Sequence, residues 1–223
     1  MNKLKAVLFD LDGTLINSEP IHAKAFLDAF NYFNIVLEDK KFENDFLGAS
    51  DYDVWKAVLK EKLQNIQFRE FQNIKNKYFL AILNELTPSS VSLLLTRGGM
   101  EFMQKLVKHR IKIGLVTASD AFQTTEVLKK TGLEPYLDVI CTATDTFFSK
   151  PNPSPYFHAM RYLHVKTEDV IIFEDSYFGL SAAMQTGAQV IGLATNPMMK
   201  ANQKFRNIRF INDFQDVVCQ DYV

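Results

Sequence analysis

Residues 6–15 read Ala6-Val7-Leu8-Phe9-Asp10-Leu11-Asp12-Gly13-Thr14-Leu15 and contain the strand around which the rest of the fold is organised. The first four of these residues are apolar, and the run ends abruptly in two aspartates. A short, continuous apolar run indicates a strand that is buried on both faces, as in a parallel sheet. We therefore predict a central strand that ends in a pair of carboxylates.

Five further apolar runs follow the same pattern along the chain. They cover residues 112–116, 139–142, 170–173, 190–193 and 208–211, with amphipathic segments between them. Strands that alternate with helices predict a parallel sheet whose two faces are both covered. The fold class that we predict is an α/β protein with a doubly wound, Rossmann-like core.

A helical segment interrupts this alternation after the first strand. Residues 21 to about 86 have helical periodicity, and the last helix carries apolar side chains at positions 68, 71, 74, 78, 82 and 86. The sequence Thr87-Pro88-Ser89-Ser90 then predicts a break and a return linker. We predict an α/β core domain of residues 1–15 and 89–223 and an inserted helical cap domain of residues 16–88.

Composition narrows the class of partner. The 223 residues are 47% hydrophobic and 23% charged, which is typical of a globular protein, and the formal net charge of −1 does not attract nucleic acid or an anionic membrane. The N-terminal apolar run is too short for a signal peptide or a membrane span. Cys141 and Cys219 form neither a disulfide framework nor a zinc motif. We expect a cytoplasmic monomer that binds a small molecule rather than nucleic acid or a membrane.

Two carboxylates, Asp10 and Asp12, lie close together at the end of the first strand, where Gly13 favours a turn. Such a pair is costly unless a cation neutralises it or one carboxyl keeps its proton. Both solutions serve phosphoryl transfer, because one carboxylate can attack phosphorus while a protonated neighbour donates to the leaving oxygen. Taken alone, however, an Asp-x-Asp pair is more often a turn cap.

Hydroxyl groups and a lysine follow later strands. The hydroxyl of Thr117 and the backbone N–H groups of the segment that follows it can donate to a phosphate, although Ser119 or Asp120 can instead cap the next helix. Lys150 lies in a loop stiffened by three prolines, so its ammonium group is presented at a fixed place. A solvated surface lysine is the alternative interpretation.

Adjacent acids, Glu174 and Asp175, end the fourth strand. Acids are unexpected at the end of a buried strand, and hard carboxylate oxygens are the ligands that Mg²⁺ requires. In open α/β sheets, ligands bind beyond the carboxyl ends of the strands. The two aspartates, the hydroxyl, the lysine and the acid pair should therefore meet at one edge and form a magnesium-dependent phosphoryl-transfer site.

These segments resemble the haloacid dehalogenase superfamily, in its branch of phosphatases and β-phosphoglucomutases with a helical cap after the first motif. The matching segments are Asp10-Leu11-Asp12-Gly13-Thr14, Leu115-Val116-Thr117-Ala118-Ser119, Lys150-Pro151 and Glu174-Asp175-Ser176. The resemblance implies a Mg²⁺-dependent hydrolase that acts through an aspartyl-phosphate on a small phosphorylated metabolite such as a sugar or polyol phosphate.

The resemblance also implies a role for each matching residue. Asp10 would attack phosphorus and bind Mg²⁺, and Asp12 would be the general acid and base, with its backbone carbonyl on the metal. Asp175 would be a metal ligand, and Glu174 would bind the metal directly or through water. Thr117 and Lys150 would also be catalytic, because they would hold the transferring phosphate and Lys150 would orient Asp10. The implied phosphate-binding and substrate-binding set is Thr117, Ala118, Ser119, Lys150 and His22.

Two other functions stay open at this point. A sugar phosphomutase shares these catalytic positions, but in mutases an arginine of the cap and a lysine after the second motif serve the phosphates of the substrate. Here those positions, after Gly48 and after Ser119, are Asp51 and Asp120, which favours hydrolysis. A non-catalytic regulatory module is the third interpretation. His22 would hydrogen-bond Asp12 and hold it away until the cap closes; a histidine on a helix surface is the alternative.

Overall fold

The computed structural model of the chain describes residues 4–37, 46, 49–62, 65–195 and 197–217. Six strands are found in these ranges: β1 (Ala6–Phe9), β2 (Lys112–Val116), β3 (Val139–Cys141), β4 (Val170–Glu174), β5 (Gln189–Leu193) and β6 (Arg209–Ile211). They form one parallel sheet in the order β3-β2-β1-β4-β5-β6. This is the strand order of doubly wound α/β folds, so the predicted fold class is confirmed.

The central strand β1 lies between β2 and β4, and its register aligns the carboxyl ends of all three. Phe9 is opposite Leu115 on one side and Phe173 on the other, and the rings of Phe9 and Phe173 stack with centroids 5.3 Å apart. These side chains are buried in the largest of the described cores. The residues that directly follow Phe9, Leu115 and Phe173 therefore emerge at the same edge.

Helices cover both faces of the sheet and fill the insertion after β1. The described helices are α1 (Glu19–Tyr32), α2 (Asp51–Lys62), α3 (Phe68–Glu85), α4 (Pro88–Leu94), α5 (Gly99–Lys108), α6 (Ala121–Thr131), α7 (Ser154–Tyr162), α8 (Tyr177–Thr186) and α9 (Pro197–Ala201). The first three belong to the insertion, and α1 packs along α3. Their apolar faces form a separate core around Phe26, Phe30, Val54 and Phe71.

The buried face of α3 differs from the one that the apolar pattern predicts. Its buried residues are Phe71, Lys75, Phe79 and Leu83. Phe71 packs in the core of the insertion, whereas Phe79 and Leu83 pack in the core beside the sheet. Apolar periodicity does not reveal this face because a lysine stands in the middle of it, where polar partners surround its ammonium group.

The break predicted at residues 87–90 is present, because α3 ends at Glu85, and Leu86 and Thr87 are extended, but the residues after it are helical. Pro88 begins α4, and the Thr87 hydroxyl accepts a hydrogen bond from the Ser90 backbone N–H at 3.2 Å. Proline in the first turn and threonine at the cap position both favour a helix start, which explains the short helix. The domain boundaries themselves remain a prediction.

Three smaller points complete the description. Cys141 is a free, buried thiol, and burial first, with Asp145 nearby, raises its pKa to about 12. Cys219 and Gly48 lie outside the described residues. Among the described helices, none is both long enough and apolar enough to cross a membrane.

Candidate active site

A tight turn after β1 separates the two aspartates. Asp10 continues the pairing of the strand, because its backbone N–H donates to the Phe173 carbonyl at 3.0 Å. Gly13 has φ +85°, and a Cβ atom there would lie 2.1 Å from Oδ2 of Asp175. Glycine is required here because the positive φ is unfavourable for other residues and because a Cβ atom would collide with the Asp175 carboxylate. The strand register therefore places Asp10 beside Asp175, and the turn packs Gly13 against the same carboxylate.

Lys150 binds the end of β1 to the ends of β2 and β4. Its Nζ donates to Oδ1 of Asp10 at 2.6 Å, to Oε1 of Glu174 at 2.6 Å and to the carbonyl oxygen of Val116 at 2.8 Å. Burial lowers the pKa of Lys150, but the charges of Asp10 and Glu174 outweigh burial and raise it. The lysine is therefore a buried, permanently charged cation, and the interpretation as a surface lysine is wrong.

Three buried acids lie within reach of a single cation. Ligand atoms of Asp10, Glu174 and Asp175 all lie within 4.8 Å of one another. Burial raises the pKa of Asp10 and of Asp175, and the mutual repulsion of the acids raises both further. The hydroxyl of Thr14 donates to Oδ1 of Asp175 at 2.9 Å and fixes its orientation. Lys150 lowers both pKa values without cancelling the rise, so these hard carboxylate oxygens suit a divalent cation such as Mg²⁺.

Glu174 is held on every side. Its Oε1 accepts hydrogen bonds from Lys150 and from the hydroxyl of Tyr156, and its Oε2 accepts from the backbone N–H of Asp175 at 3.1 Å. A Cβ atom at Gly179 would lie 1.9 Å from Oε1, so helix α8 can approach this carboxylate only because residue 179 is glycine. Tyr156 was not found from the sequence, because nothing in its local pattern connects it to an acid 18 residues away.

Asp12 has a different environment from the acid cluster. Ser18 donates to its Oδ1, His22 Nε2 lies 3.1 Å from the same oxygen, and the hydroxyls of Ser119 and Thr117 donate to Oδ2 at 2.8 and 3.3 Å. Burial raises the pKa of Asp12, but His22, Ser18 and Ser119 outweigh burial and lower it. Asp12 is thus held as a carboxylate, and Ser18 is a partner that the sequence did not reveal.

His22 is buried, so the interpretation as a surface histidine is wrong. Its second ring nitrogen, Nδ1, lies 3.2 Å from Nζ of Lys75. An ammonium group offers only donors, so Nδ1 must accept and Nε2 must carry the proton that points to Asp12. The predicted contact with Asp12 is therefore present, whereas its function in cap closure stays a prediction.

The segment after β2 lies beside Asp12. The hydroxyl of Thr117 accepts from the Ser119 backbone N–H at 3.0 Å, and Ala118 lies between them on the wall of a cavity. Asp120, not Ser119, caps α6, because its Oδ1 accepts from the Gln123 backbone N–H at 2.8 Å. The capping interpretation is therefore right for Asp120, and the two hydroxyls remain in the site.

The cavity between the sheet edge and the insertion has a volume of about 380 Å³. Glu174 is the predicted site residue that does not line this cavity. The predicted site residues that line it are Asp10, Asp12, His22, Thr117, Ala118, Ser119, Lys150 and Asp175. Pro20, Phe26, Ala49 and Met199 add apolar walls. The predicted set therefore meets at one place, although the role of each member stays a prediction.

A buried polar network joins the insertion to the core behind this cavity. Lys75 donates to Oδ1 of Asp51 at 2.7 Å and to Oε1 of Gln123 at 2.9 Å, and Gln123 donates to Oδ2 of Asp51 at 2.7 Å. Oδ2 of Asp120 accepts from Asn76 at 3.0 Å. The two acids that replace the cations expected of a mutase are therefore both hydrogen-bonded across the boundary between insertion and core.

The carboxyl edge of this doubly wound sheet presents an aspartate that is paired with a buried lysine and lies beside an acid cluster, an arrangement that can serve phosphoryl transfer. The family model described as haloacid dehalogenase-like hydrolase matches residues 7–193. The chain belongs to this family of hydrolases and is therefore an enzyme.

Similar curated proteins are phosphatases. The chain is 29% identical over 191 residues to a validoxylamine A 7'-phosphate phosphatase of Streptomyces hygroscopicus subsp. limoneus, covering 86% of each chain. It is 28% identical over 195 residues to the pyrophosphatase PpaX of Bacillus mycoides (86% of this chain, 84% of the other). It is 29% identical over 194 residues to a phosphorylated carbohydrates phosphatase of Thermotoga maritima, covering 84% of each.

The fold is also that of a solved mutase. A β-phosphoglucomutase of Clostridium difficile superposes with a TM-score of 0.83 at 22% identity, covering 98% of this chain and 95% of the other. At this identity the likeness concerns the fold alone. It therefore does not decide between hydrolysis and isomerisation.

Proposed function

We propose that this chain is a Mg²⁺-dependent phosphatase that hydrolyses a small phosphate monoester through an aspartyl-phosphate on Asp10. The observation that carries the proposal is the position of Asp10, whose carboxylate is held by Lys150 at 2.6 Å, lies in the acid cluster and lines the cavity. Curated relatives act on phosphorylated substrates, which supports the same reaction class.

Asp10 is the nucleophile in this proposal. One of its carboxylate oxygens forms a bond to phosphorus while the bond from phosphorus to the leaving alcohol oxygen breaks. Lys150 fixes the carboxylate through Oδ1 and offsets the charge of the phosphoryl group. Mg²⁺, held by Asp10, Asp175, Glu174 and the backbone carbonyl of Asp12, would supply the charge that allows an anion to approach a phosphate dianion.

Asp12 moves the protons. It gives one to the leaving oxygen and takes one from the water that hydrolyses the aspartyl-phosphate. Its four donors favour the carboxylate, so Asp12 becomes an acid only when it loses some of them. A transferring phosphate that binds the hydroxyls of Thr117 and Ser119 takes two of these donors away, which raises the pKa of Asp12 when an acid is needed.

We propose that the insertion, residues 16–88, is a cap on the core of residues 1–15 and 89–223. In this proposal the cap controls the access of water and substrate to the cavity. Residues 13–20 form the connection on which it moves. A closed cap excludes water while the nucleophile attacks, and an open one admits water and releases product. The contact between His22 and Asp12 supports this proposal, because it joins the first helix of the insertion directly to the proton-transfer residue.

The first prediction concerns turnover. The purified chain should release inorganic phosphate from members of a panel of sugar and polyol monophosphates in the presence of Mg²⁺ and lose this activity with a chelator, because the acid cluster needs a cation. Phosphate release is measured by a colorimetric assay, and added Mg²⁺ should restore it. A panel without any phosphate release would contradict the proposal. Conversion of a sugar 1-phosphate to its 6-phosphate without phosphate release would instead establish the mutase.

The second prediction concerns Asp12. We expect Asp12→Asn to slow turnover roughly 10²- to 10⁴-fold, the usual contribution of general acid–base catalysis. The loss should be largest for alkyl phosphates and smallest for 4-nitrophenyl phosphate, whose leaving group needs no proton. Measuring kcat for both substrates checks this, with Asp53→Asn, an exposed acid on α2, as the matched control. An equal loss for both leaving groups would rule out the acid role.

A further inference from the structure

We infer that Asp51 selects substrates whose leaving group is uncharged, because it neutralises Lys75 behind the wall of the cavity. Sugar or polyol monophosphates would be accepted, and molecules with a second phosphate or a carboxylate on the leaving group would be disfavoured. This inference rests on the proposed function and specifies its substrate class.

The cation concerned is Lys75. Its side chain is fully buried, and its Nζ contacts Asp51 at 2.7 Å, Gln123 at 2.9 Å and His22 at 3.2 Å. The same ammonium group lies 4.3 Å from the centroid of the Phe26 ring. A lysine can be buried at this cost only when its charge is balanced, and Asp51 supplies the balancing charge.

Lys75 lies directly behind the cavity. Three of its contacts, Asp51, His22 and Phe26, line the cavity, whereas Lys75 itself does not. These three residues therefore separate the ammonium group from the cavity, and Asp51 is the acid among them. An anionic group that entered the cavity would meet this carboxylate before it could reach Lys75.

The other charges at the cavity point in the same direction. Among the described lining residues, the acids are Asp10, Asp12, Glu19, Asp51 and Asp175, and the one lysine is Lys150. Lys150 already binds Asp10 and Glu174, and it lies at the sheet edge where the transferring phosphate is held. Because Lys150 serves the transferring phosphate and the charge of Lys75 is balanced by Asp51, neither lysine of the described site is available to a second anion.

The chemistry of the wall suits a neutral, hydroxylated leaving group. Asp51 and Asn17 provide polar atoms for hydroxyls, while Phe26 and Ala49 provide apolar contact. Pyrophosphate, the substrate type in the name of one relative, has an anionic leaving group and falls on the disfavoured side. Asp51 therefore favours substrates with an uncharged leaving group over substrates with an anionic one.

Matched substrate pairs test this inference. Glycerol 3-phosphate and 3-phosphoglycerate differ by one carboxylate, as do sorbitol 6-phosphate and 6-phosphogluconate. The wild type should favour the neutral member of each pair at least about tenfold in kcat/KM, the scale of a like-charge contact. Asp51→Asn keeps the side-chain volume but leaves the charge of Lys75 without a balancing carboxylate. This variant should reduce the ratio about tenfold or more, mainly because KM for the anionic member falls.

Two variants separate charge from shape. The double variant Asp51→Asn with Lys75→Met has no cation behind the wall of the cavity. It should therefore lose most of the increase in kcat/KM that Asp51→Asn alone gives for the anionic substrates. Asp53→Asn makes the same charge change on the exposed side of α2 and should leave the ratio as in the wild type. A wild type that favours the anionic members, an unchanged ratio in Asp51→Asn, or a gain that persists in the double variant would each overturn the inference.

A binding measurement keeps this test separate from the proposed reaction. Calorimetry on the Asp10→Asn variant, with and without Asp51→Asn, gives the affinities for glycerol 3-phosphate and 3-phosphoglycerate without turnover. If no substrate is hydrolysed but the affinities follow Asp51 as expected, the reaction is wrong and the charge selection stands. If hydrolysis occurs and the affinities ignore Asp51, the selection alone is wrong.

Discussion

Replacing Asp10 by asparagine should reduce turnover by roughly 10⁴-fold or more, the scale seen when a nucleophile is removed, while the protein stays folded. An amide nitrogen and oxygen do not attack phosphorus as a carboxylate does, so no aspartyl-phosphate forms. The Oδ1 atom of asparagine can still accept the hydrogen bond from Lys150, which preserves the geometry at the end of β1.

Stability provides the control for this variant. Burial raises the pKa of Asp10 and Lys150 lowers it, but burial together with repulsion from Glu174 and Asp175 outweighs the lysine, so a neutral side chain relieves a net unfavourable charge. In the absence of Mg²⁺, the Tm of Asp10→Asn should therefore equal or exceed that of the wild type. Calorimetric unfolding and phosphate release on the same preparation check both statements. Wild-type turnover in a folded Asp10→Asn protein would exclude Asp10 as the nucleophile.

The fold was predictable because each strand is a short apolar run with a polar stop. Ala6–Phe9 matched its predicted limits, and Lys112–Val116 did as well. Burial on both faces is a local property that the sequence displays directly. The helical linker at Pro88–Leu94 was missed because the turn signal of Thr87 and Pro88 is equally a helix-start signal.

The candidate site was predictable for the residues that follow strands. Asp10, Thr117 and Glu174 reach one edge through the register of the sheet, which depends only on strand order. Tyr156 and Ser18 were missed, since each lies on or beside a helix and reaches the site by packing. Contacts of that kind depend on how helices dock, and the sequence pattern does not specify docking.

Lys75 is buried by the docking of helices, which the sequence pattern does not specify either. In the sequence it is one polar residue in a helix that carries many, and a solvent-exposed position is the natural interpretation. Its burial follows from Asp51 and Gln123, which are 24 and 48 residues away. The sequence comparison with mutases had identified Asp51 and Asp120 as departures, but only the packing shows that hydrogen bonds across the insertion hold both.

Lys150→Met should give the second large effect, on stability and activity together. The substitution leaves the buried carboxylates of Asp10 and Glu174 without their shared cation, and removing one partner of such a group costs about 3–5 kcal/mol of the free energy of unfolding. Turnover should fall roughly 10²- to 10³-fold, the usual effect of removing one electrostatic contact to the transferring group.

The stability loss should depend on pH, and its sign follows from Asp10. Burial raises the pKa of Asp10 above its ordinary value of 3.8, while Lys150 opposes that rise; without the lysine the pKa is higher still. Both folded proteins then keep a proton that the unfolded chain releases from about pH 4, and both lose stability as pH rises. Lys150→Met keeps the proton to a higher pH, so it goes on losing stability after the wild type has stopped. The deficit relative to wild type should be larger at pH 8 than at pH 5.

Urea unfolding of both proteins at these two pH values, without Mg²⁺, measures the deficit. Lys129→Met is the matched control, because its ammonium group forms an exposed ion pair with Glu126 at 3.0 Å and such pairs contribute at most about 1 kcal/mol. If the stability difference between Lys150→Met and the wild type is smaller at pH 8 than at pH 5, Asp10 is not the group whose charge Lys150 neutralises. In that case Glu174, which Tyr156 also contacts, would be the main partner of the lysine, and Lys150 would support the metal-binding acids more than the nucleophile.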